Sequence, residues 1–459
     1  MKLGMLTTNS DNYYGIYHEI DKKAMKEIVK FSQDNNIDLI TYGPIKTGEE
    51  AYQARKYFEQ QKIDYLLIML ADFSSGDIMM AFENTNYSIG VWFKEEPFED
   101  GDIQLNAAVS ANIFASIAMR KFKNKVKVDW YYGNLFDNSL NIKLLDNIIV
   151  SKAINKFSNS TIGIIGDVAP TFYNLENNHL KEYFPNMRFN KIDINYIMKK
   201  IELLKEDDIE RAKNLILNSC NKFEALEKSL INSAKAYIVI EQYVKENAID
   251  CIAGTCWPDF QDTLQIVPCV LYSLIGNELG VPVACEGDIG GAVSLLIAKE
   301  LSNSNPTLMD LTSLNSKTNQ LLLWHCGIGS KDFQPNEDVR IISHPMLDRK
   351  NPNRELMGLS YDYSFKPQEA SIIRYSNDGR ILAVDANIVK SNKGYSGTRG
   401  FFTDFSQEGE KYSVNQVVDT IFENGIEHHL IICPKHIEKR IRTFAKRMNI
   451  KTIKLEKGV

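Results

Sequence analysis

The sequence predicts two Rossmann-like α/β domains with parallel sheets, followed by a mostly β, barrel-like domain. Apolar strand-like runs alternate with helical patterns over the first 150 residues, and the alternation restarts at residue 161. After residue 306, short strand-like runs dominate. Because alternating strands and helices favour a parallel sheet covered on both faces, we place the domains at 1–154, 155–305 and 306–459.

The first domain is predicted from four apolar runs and three helical patterns. Each run is short and bounded by polar segments, which is typical of buried strands. The predicted strands are 2–6, 38–42, 64–70 and 88–93, and the predicted helices are about 19–35, 49–61 and 105–123.

The second domain repeats this alternation with a longer helical region. Its predicted strands are 161–166, 188–192 and 248–254, with a helical region at about 208–247. A further stretch from residue 290 to about 301 has the pattern of one amphipathic helix.

The third domain is predicted from short alternating runs and a hairpin signal. The segment Asn377-Asp-Gly379 contains an Asp-Gly pair, which is typical of the tight turn in a β-hairpin. The predicted strands are 319–325, 339–343, 370–375, 381–387 and 428–433, and the predicted helices are about 413–424 and 436–448.

Composition excludes several classes of function. A net charge of −6 over 459 residues gives no basic surface for nucleic acid or anionic membrane. No apolar run approaches the roughly 20 residues that span a bilayer. The chain starts directly with a strand-like run, and its seven cysteines form no C-x-x-C pair. Free thiols and no signal peptide predict a cytoplasmic protein.

Glu286 and Asp310 are the most informative pair of residues. Each ends an apolar run, so each is expected at the carboxyl end of a buried strand, where α/β folds bind ligands. Two such carboxylates from neighbouring strands could hold a divalent cation or pass a proton between two carbons. Alternatively, Asp288 or Glu286 only caps the following helix, which would account for one acid but not for the second.

Histidine and tryptophan residues near predicted strand ends complete the candidate site. His325 ends an apolar strand, and His428 and His429 open another. Because strand neighbours point to opposite faces, only one of the two adjacent histidines is expected to enter a site directly. Neutral imidazole beside carboxylates suits Mn, Fe, Co or Zn. Trp257 follows the strand at 248–254 and is either a wall for sugar stacking or part of the core.

Four motifs resemble the L-fucose isomerase and L-arabinose isomerase superfamily. They are Cys256-Trp-Pro-Asp-Phe260, Ala284-Cys-Glu-Gly-Asp288, Leu323-Trp-His-Cys-Gly327 and Glu427-His-His429, with Asp310 at the matching spacing. The resemblance implies a Mn²⁺ ion held by Glu286, Asp310 and His429. It makes His428 a substrate-binding residue. His325 is then either a further ligand, as in the arabinose branch, or a residue that touches substrate or water.

The same resemblance implies an aldose–ketose isomerase. Hydrogen would move between C1 and C2 of an open-chain sugar through an enediolate, whose charge a divalent cation stabilises. Glu286 and Asp310 would remove and shuttle protons, and a hydride shift is the other route. Family members assemble as hexamers or related oligomers with shared active sites, which makes Trp92 of the first domain a pocket candidate for a neighbouring subunit.

The substrate class stays open between neutral and sulfonated sugars. The Glu-Gly-Asp motif is closer to the arabinose branch, whereas Asp310 follows the fucose branch. The substrate of neither branch can therefore be assigned directly to this chain. A sulfonated hexose such as sulfoquinovose is the alternative, with Arg399 and the 349–354 segment as candidates for its anionic group. Two other classes also fit parts of the chain: a non-catalytic sugar-binding or sensing protein, and a metal-dependent lyase or aldolase.

Overall fold

The computed structural model describes residues 1–97, 101–122, 126–176, 180, 184–346, 357–391 and 394–456. The chain divides into two compact units, Met1–Asn155 and Lys156–Val459. The division into three domains stays a prediction. The basic 349–354 segment lies outside the described residues.

The first unit is a five-stranded parallel sheet with its own hydrophobic core. The strand order is β2–β1–β3–β4–β5. Its strands are β1 Lys2–Thr8, β2 Asp38–Ile45, β3 Tyr65–Leu70, β4 Ser88–Phe93 and β5 Val128–Tyr132. Its helices are α1 Ile20–Asp34, α2 Gly48–Gln61, α3 Gly76–Met80, α4 Ala107–Lys121 and α5 Asn138–Ser158. The four predicted strands and three predicted helices are confirmed, whereas β5, α3 and α5 were missed.

The second unit begins with a four-stranded parallel sheet in the order β10–β9–β6–β7. Its strands are β6 Thr161–Ile165, β7 Arg188–Ile192, β9 Cys251–Gly254 and β10 Val283–Ala284. Its helices are α6 Ile194–Ile201, α7 Glu206–Asn218, α8 Glu227–Glu246, α9 Cys269–Leu279 and α10 Ile289–Ser302. The predicted helix at 208–247 is interrupted by a short strand, β8 Lys222–Glu224, which pairs with a strand beyond residue 306.

A closed barrel of six antiparallel strands follows. The strand order β16–β15–β19–β11–β12–β17 closes through pairing of β17 with β16, so none of the six is left as an open edge. These strands are β11 Thr307–Asn315, β12 Gln320–His325, β15 Gln368–Tyr375, β16 Arg380–Val389, β17 Thr398–Gln407 and β19 His429–Pro434. The barrel-like third region is therefore confirmed.

Shorter elements extend the barrel wall. They are β13 Arg340–Ile342, β14 Ser360–Ser364, β18 Glu410–Lys411, β20 Lys451–Ile453, α11 Val414–Glu423 and α12 Glu438–Met448. The predicted hairpin turn at Asn377 to Gly379 connects β15 to β16, and Gly379 has a φ of 83° there. None of the described helices is long and apolar enough to cross a membrane.

Helix α10 occupies the centre of the second unit. The prediction of an amphipathic helix is wrong in one respect, because α10 is buried on nearly every side. It packs against β9 and β10 on one side and against β15 and β19 of the barrel on the other. This helix therefore joins the two sheets, and its first residue, Ile289, follows Glu286 by three positions in the chain.

Candidate active site

Glu286 lies on a sharp turn between β10 and α10. Its backbone is left-handed, with a φ of 62°, and Gly287 follows with a φ of 71°. The Glu286 carbonyl accepts a hydrogen bond from the Ala169 amide at 3.0 Å, and the Gly287 amide donates to the Gly254 carbonyl at 3.0 Å. A left-handed residue other than glycine costs about 1–2 kcal/mol, so the surrounding contacts must hold Glu286 in this conformation.

Asp310 and His429 lie opposite each other on the barrel wall. They are directly paired across β11 and β19, so their side chains share one face of the barrel. Glu286 approaches that face from the other sheet. The expectation that the two carboxylates come from neighbouring strands is therefore wrong: Glu286 follows a strand of the parallel sheet, and Asp310 lies within a strand of the barrel.

The His429 ring links both carboxylates. Its Nε2 lies 3.5 Å from Glu286 Oε2 and 3.6 Å from Asp310 Oδ1. The same Nε2 is buried and has no hydrogen-bond partner among the described residues. On the other side of the ring, Nδ1 lies 2.9 Å from Asp288 Oδ2. Because an ionised Asp288 only accepts, Nδ1 carries the proton and Nε2 presents its lone pair to the two carboxylates.

Asp288 is held by a buried network of charges. Arg374 Nη1 and Nη2 donate to the two Asp288 oxygens at 2.5 and 3.0 Å, and Arg374 Nε donates to Glu427 at 3.0 Å. Burial opposes the ionisation of Asp288, but Arg374 and His429 hold the pKa of its carboxyl well below the usual range. Asp288 also accepts from the Gly291 amide at 2.8 Å, so it is the acid that caps α10.

His428 lies beside Glu286 as well. Its Nε2 lies 3.2 Å from Glu286 Oε2, and its Nδ1 lies 3.1 Å from Asn174 Nδ2. Since the Asn174 amide nitrogen donates to Nδ1, His428 Nε2 carries the proton and donates to Glu286. The expectation that only one of the adjacent histidines reaches the site directly is wrong. Strand β19 begins at His429, so His428 precedes it and does not follow its alternation.

His325 borders the same cluster. Asp310, His325 and His429 offer ligand atoms that all lie within 4.8 Å of one another, as do Glu286, His428 and His429. Burial disfavours a charged imidazolium, but Cys326 and Asp310 raise the pKa of His325 to about 10. Desolvation raises the pKa of Asp310, and the neighbouring His325 opposes that rise.

Aromatic side chains form one wall beside His428. The Phe172 ring lies 5.0 Å from the His428 ring, and the Trp257 ring lies 6.3 Å from Phe172 in an edge-on arrangement. Trp257 is half-buried. Among the ring contacts of the described residues, Trp257 meets the cluster through Phe172, whose role the sequence did not indicate.

Arg399 belongs to the same row of the barrel wall as Asp310. Asp310 lies opposite Trp324 on β12, and Trp324 lies opposite Arg399 on β17. Directly opposite residues share a face, and two strand spacings separate Arg399 from Asp310 by about 10 Å. Arg399 Nη1 donates to Asp362 at 2.5 Å, while its buried Nε has no hydrogen-bond partner among the described residues.

Trp92 lies in the first unit and is fully buried there. Its indole N–H donates to the Gly133 carbonyl at 2.9 Å. The structure thus places Trp92 in the core of that unit. A role in a neighbouring subunit's pocket stays a prediction.

Two charged residues of the network were not recognised as part of the site from the sequence. The sequence motif Glu427-His-His429 indicates no role for Glu427, and Arg374 is predicted only as part of the strand at 370–375. An arginine within the apolar stretch Ile372-Ile-Arg-Tyr375 indicates a buried ion pair, because an unpaired buried charge is too costly. The sequence therefore indicates that Arg374 has a buried acidic partner, but it does not indicate which acid that is.

The arrangement combines two carboxylates, an unprotonated imidazole nitrogen and a second histidine that donates to one carboxylate. Such a set can bind a divalent cation, and it can also accept and return protons.

The curated proteins to which this chain is similar are sugar isomerases. A sulfoquinovose isomerase from Priestia aryabhattai is 26% identical over 405 residues, which cover 85% of each chain. A sulfoquinovose isomerase from Alkalicoccus urumqiensis is 24% identical over 404 residues, covering 86% of each chain. No family model matches the chain. A periplasmic solute-binding protein from Actinobacillus succinogenes with bound D-allose covers 56% of this chain at 14% identity, and its TM-score of 0.17 carries no weight.

Proposed function

We propose that this protein is a metal-dependent aldose–ketose isomerase whose substrate is a sulfonated hexose of the sulfoquinovose type. The similarity to sulfoquinovose isomerases along 85% of the chain supports an isomerase, and it favours the sulfonated sugar over L-fucose or L-arabinose. The observation that carries the proposal is the unpartnered His429 Nε2 between Glu286 and Asp310. Assembly into a hexamer and a cytoplasmic location stay predictions.

The donor set fits a Mn²⁺ ion. Glu286, Asp310 and His429 offer two carboxylate oxygens and one neutral imidazole nitrogen, which is a hard and borderline set of the kind Mn²⁺ accepts. The buried lone pair of His429 Nε2 would otherwise be unsatisfied. When bound, the ion supplies positive charge that stabilises the oxygens of the reacting sugar.

The protein's own residues divide the proton transfers. Glu286 accepts a hydrogen bond from His428 Nε2, so His428 can exchange a proton with this carboxylate. Asp310 has no such donor among its described contacts, and desolvation raises its pKa, which favours its use as a base. We therefore assign removal of the C–H proton to Asp310 and the movement of the hydroxyl proton to Glu286 with His428.

The surroundings of Arg399 support a sulfonated substrate. Asp362 is a buried carboxylate that pairs with both Arg399 and Arg340, so two guanidinium groups face one acid. The unpartnered Nε of Arg399 offers a donor for an added anion. With Arg399 about 10 Å from Asp310 on the same face, an open-chain hexose could place its reacting carbons at the carboxylates and its terminal sulfonate at Arg399.

The test compares sulfoquinovose with the corresponding neutral hexose in the presence of Mn²⁺. We expect a ketose of unchanged carbon number from the sulfonated sugar. In Arg399→Met, kcat/KM for sulfoquinovose should fall by 10-fold or more, because a charge-assisted contact contributes about 1.5–3 kcal/mol. Turnover of the neutral sugar should change little. Arg340→Met is the matched control, since it removes the other partner of Asp362 outside the row.

Other products would point to the other classes of protein. Smaller fragments would indicate an aldolase, and saturable binding without turnover would indicate a sensor. Equal losses for both sugars in Arg399→Met would remove Arg399 from sulfonate recognition while leaving the isomerase assignment intact.

A further inference from the structure

A second cluster of ligand-type side chains lies behind His325. Cys269, Cys326 and His344 offer ligand atoms that all lie within 4.8 Å of one another. Cys269 and His344 are buried, and Cys326 is half-buried. The three residues come from separate parts of the chain: the first residue of α9, the residue directly after β12 and the segment after β13.

We propose that Cys269, Cys326 and His344 form a zinc site distinct from the cluster at Glu286. Two thiolates and an imidazole are the ligand types that zinc prefers, whereas carboxylates with imidazole suit manganese. The Cys269 and Cys326 sulfur atoms lie 3.8 Å apart. Two sulfurs that each lie about 2.3 Å from a tetrahedral zinc are separated by about 3.8 Å, so the spacing matches one edge of that tetrahedron.

Ser360 provides an independent indication of a ligand. It is fully buried beside the Cys269 thiol, and its Oγ has no well-aligned hydrogen-bond partner among the described residues. Ser360 packs against Gly327, where an added Cβ would lie 2.4 Å from the Ser360 Cβ. Gly327 follows Cys326 directly, so this buried hydroxyl lies beside the sulfur pair. It could complete the fourth position directly or through a water, which would give this buried oxygen a well-aligned partner.

The proposed zinc site also positions the candidate active site. Cys326 Sγ lies 3.5 Å from His325 Nδ1, and His325 in turn borders Asp310 and His429. A zinc-bound thiolate beside this nitrogen would hold the His325 ring in one orientation. The site would thus act as a structural tie among α9, β12 and the segment after β13, with His325 as its link to the pocket.

X-ray absorption at the zinc edge tests the proposal on the wild-type protein. Protein equilibrated with one equivalent of Zn²⁺ after removal of weakly held metal should show two sulfur ligands at about 2.3 Å. A spectrum with only nitrogen and oxygen ligands would overturn the proposal. So would a Cys269–Cys326 disulfide found by thiol counting in protein purified under reducing conditions.

Metal content of variants gives a second readout that does not depend on turnover. Cys326→Ser and Cys269→Ser should each lose the zinc that wild-type protein retains against a weak chelator. Cys220→Ser, a half-buried cysteine outside the cluster, should keep it, and so should Glu286→Gln. Retention of zinc in Cys326→Ser, or its loss in Glu286→Gln alone, would contradict a separate site. Because Glu286→Gln removes the proposed isomerase metal, the two proposals fail independently.

Discussion

His429 differs from the other described histidines in the way its two nitrogen atoms are used. Asp288 fixes the proton on Nδ1, and Arg374 fixes Asp288. This chain of contacts orients the ring and keeps Nε2 available, as partners of metal-binding histidines commonly do. His428 is the opposite case, because Asn174 occupies its Nδ1 and its Nε2 proton points to Glu286.

The two adjacent histidines should therefore respond differently to substitution. His429→Ala removes a ligand, so Mn²⁺ affinity should fall by at least 100-fold and turnover should recover partly at high Mn²⁺. His428→Ala should keep its metal and lose kcat, since only a donor to Glu286 is removed. Calorimetric titration with Mn²⁺ beside steady-state kinetics separates the two outcomes. Metal loss in His428→Ala with retention in His429→Ala would reverse our assignment.

Asp72 in the first unit supplies a pH-dependent contribution to stability. Burial raises the pKa of its carboxyl to about 6, and hydrogen bonds from backbone amides, the Gly15 amide first among them, oppose this rise. Its Oδ1 is buried without a hydrogen-bond partner among the described residues. A carboxyl whose folded-state pKa is raised favours the folded state below its unfolded pKa, and this stability is lost as pH rises through the folded value.

Asp72→Asn should therefore stabilise the protein at high pH relative to the wild type. The difference between the folded and unfolded pKa corresponds to about 2–3 kcal/mol, which should develop between about pH 4 and pH 6. Thermal unfolding of both proteins from pH 4 to pH 8 measures it, with the exposed Asp38→Asn as control. A difference in Tm between variant and wild type that does not change with pH would rule out this account.

At the scale of elements, the turn between β10 and α10 determines where Glu286 points. Gly287 has a φ of 71°, and a Cβ added there would lie 2.7 Å from the Asp167 carbonyl oxygen and 2.8 Å from Val168 Cα. Both of these are backbone atoms, so the turn itself would have to move. Gly280 has a similar φ of 64°, but its added Cβ would meet only the end of Lys299, at 3.7 Å.

This pair of glycines gives a matched test of the turn. Gly287→Ala and Gly280→Ala should each lose about 1 kcal/mol of unfolding free energy through the left-handed backbone, and Gly287→Ala should lose more because its Cβ also meets backbone atoms. Only Gly287→Ala should lower kcat, by 10-fold or more, because its clash displaces Glu286. Steady-state kinetics and thermal unfolding on the two variants check this. Equal kcat in both variants would mean that the turn does not position the carboxylate.

Local patterns were enough to predict the strands that are buried on both faces. Strand β3 is buried along its whole length and appears in the sequence as a continuous apolar run. Strand β5 was missed because only one of its five residues is buried, and Asp129 interrupts its apolar pattern. Strand β17 is also not predicted, because buried and half-buried residues alternate along it around Gly400 and leave no continuous apolar run. A pattern of apolar residues cannot reveal a strand whose burial depends on pairing with distant strands.

The residues of the candidate site also differ in whether local sequence is enough to predict them. Glu286, Asp310 and His429 could be predicted because each lies beside an apolar run, where a polar side chain is conspicuous. The pairing of Arg374 with Asp288 could not, since it joins positions 86 residues apart in different elements. The orientation of His428 depends on the first residue of β19, and strand boundaries are the least reliable part of a prediction from sequence.

At the scale of the whole molecule, the separation into two units determines what one chain contributes to a site. The chain has two compact units with separate hydrophobic cores, and every residue of the proposed metal set lies in the second. The resemblance to the isomerase superfamily implies that the first unit of one subunit completes the site of a neighbour. Under that arrangement, the second unit alone would bind metal but turn over slowly.

Subunit mixing tests shared sites directly. Glu286→Gln chains lack the carboxylate but keep the first unit, whereas chains that begin at residue 156 keep the carboxylate but lack the first unit. Each protein alone should be nearly inactive, and mixing under conditions of subunit exchange should restore part of the turnover, because some sites then combine an intact first unit with an intact Glu286. Native mass spectrometry of the wild type should give a multiple of 52.3 kDa. Full turnover by a species of one chain's mass would show that each chain forms its own site.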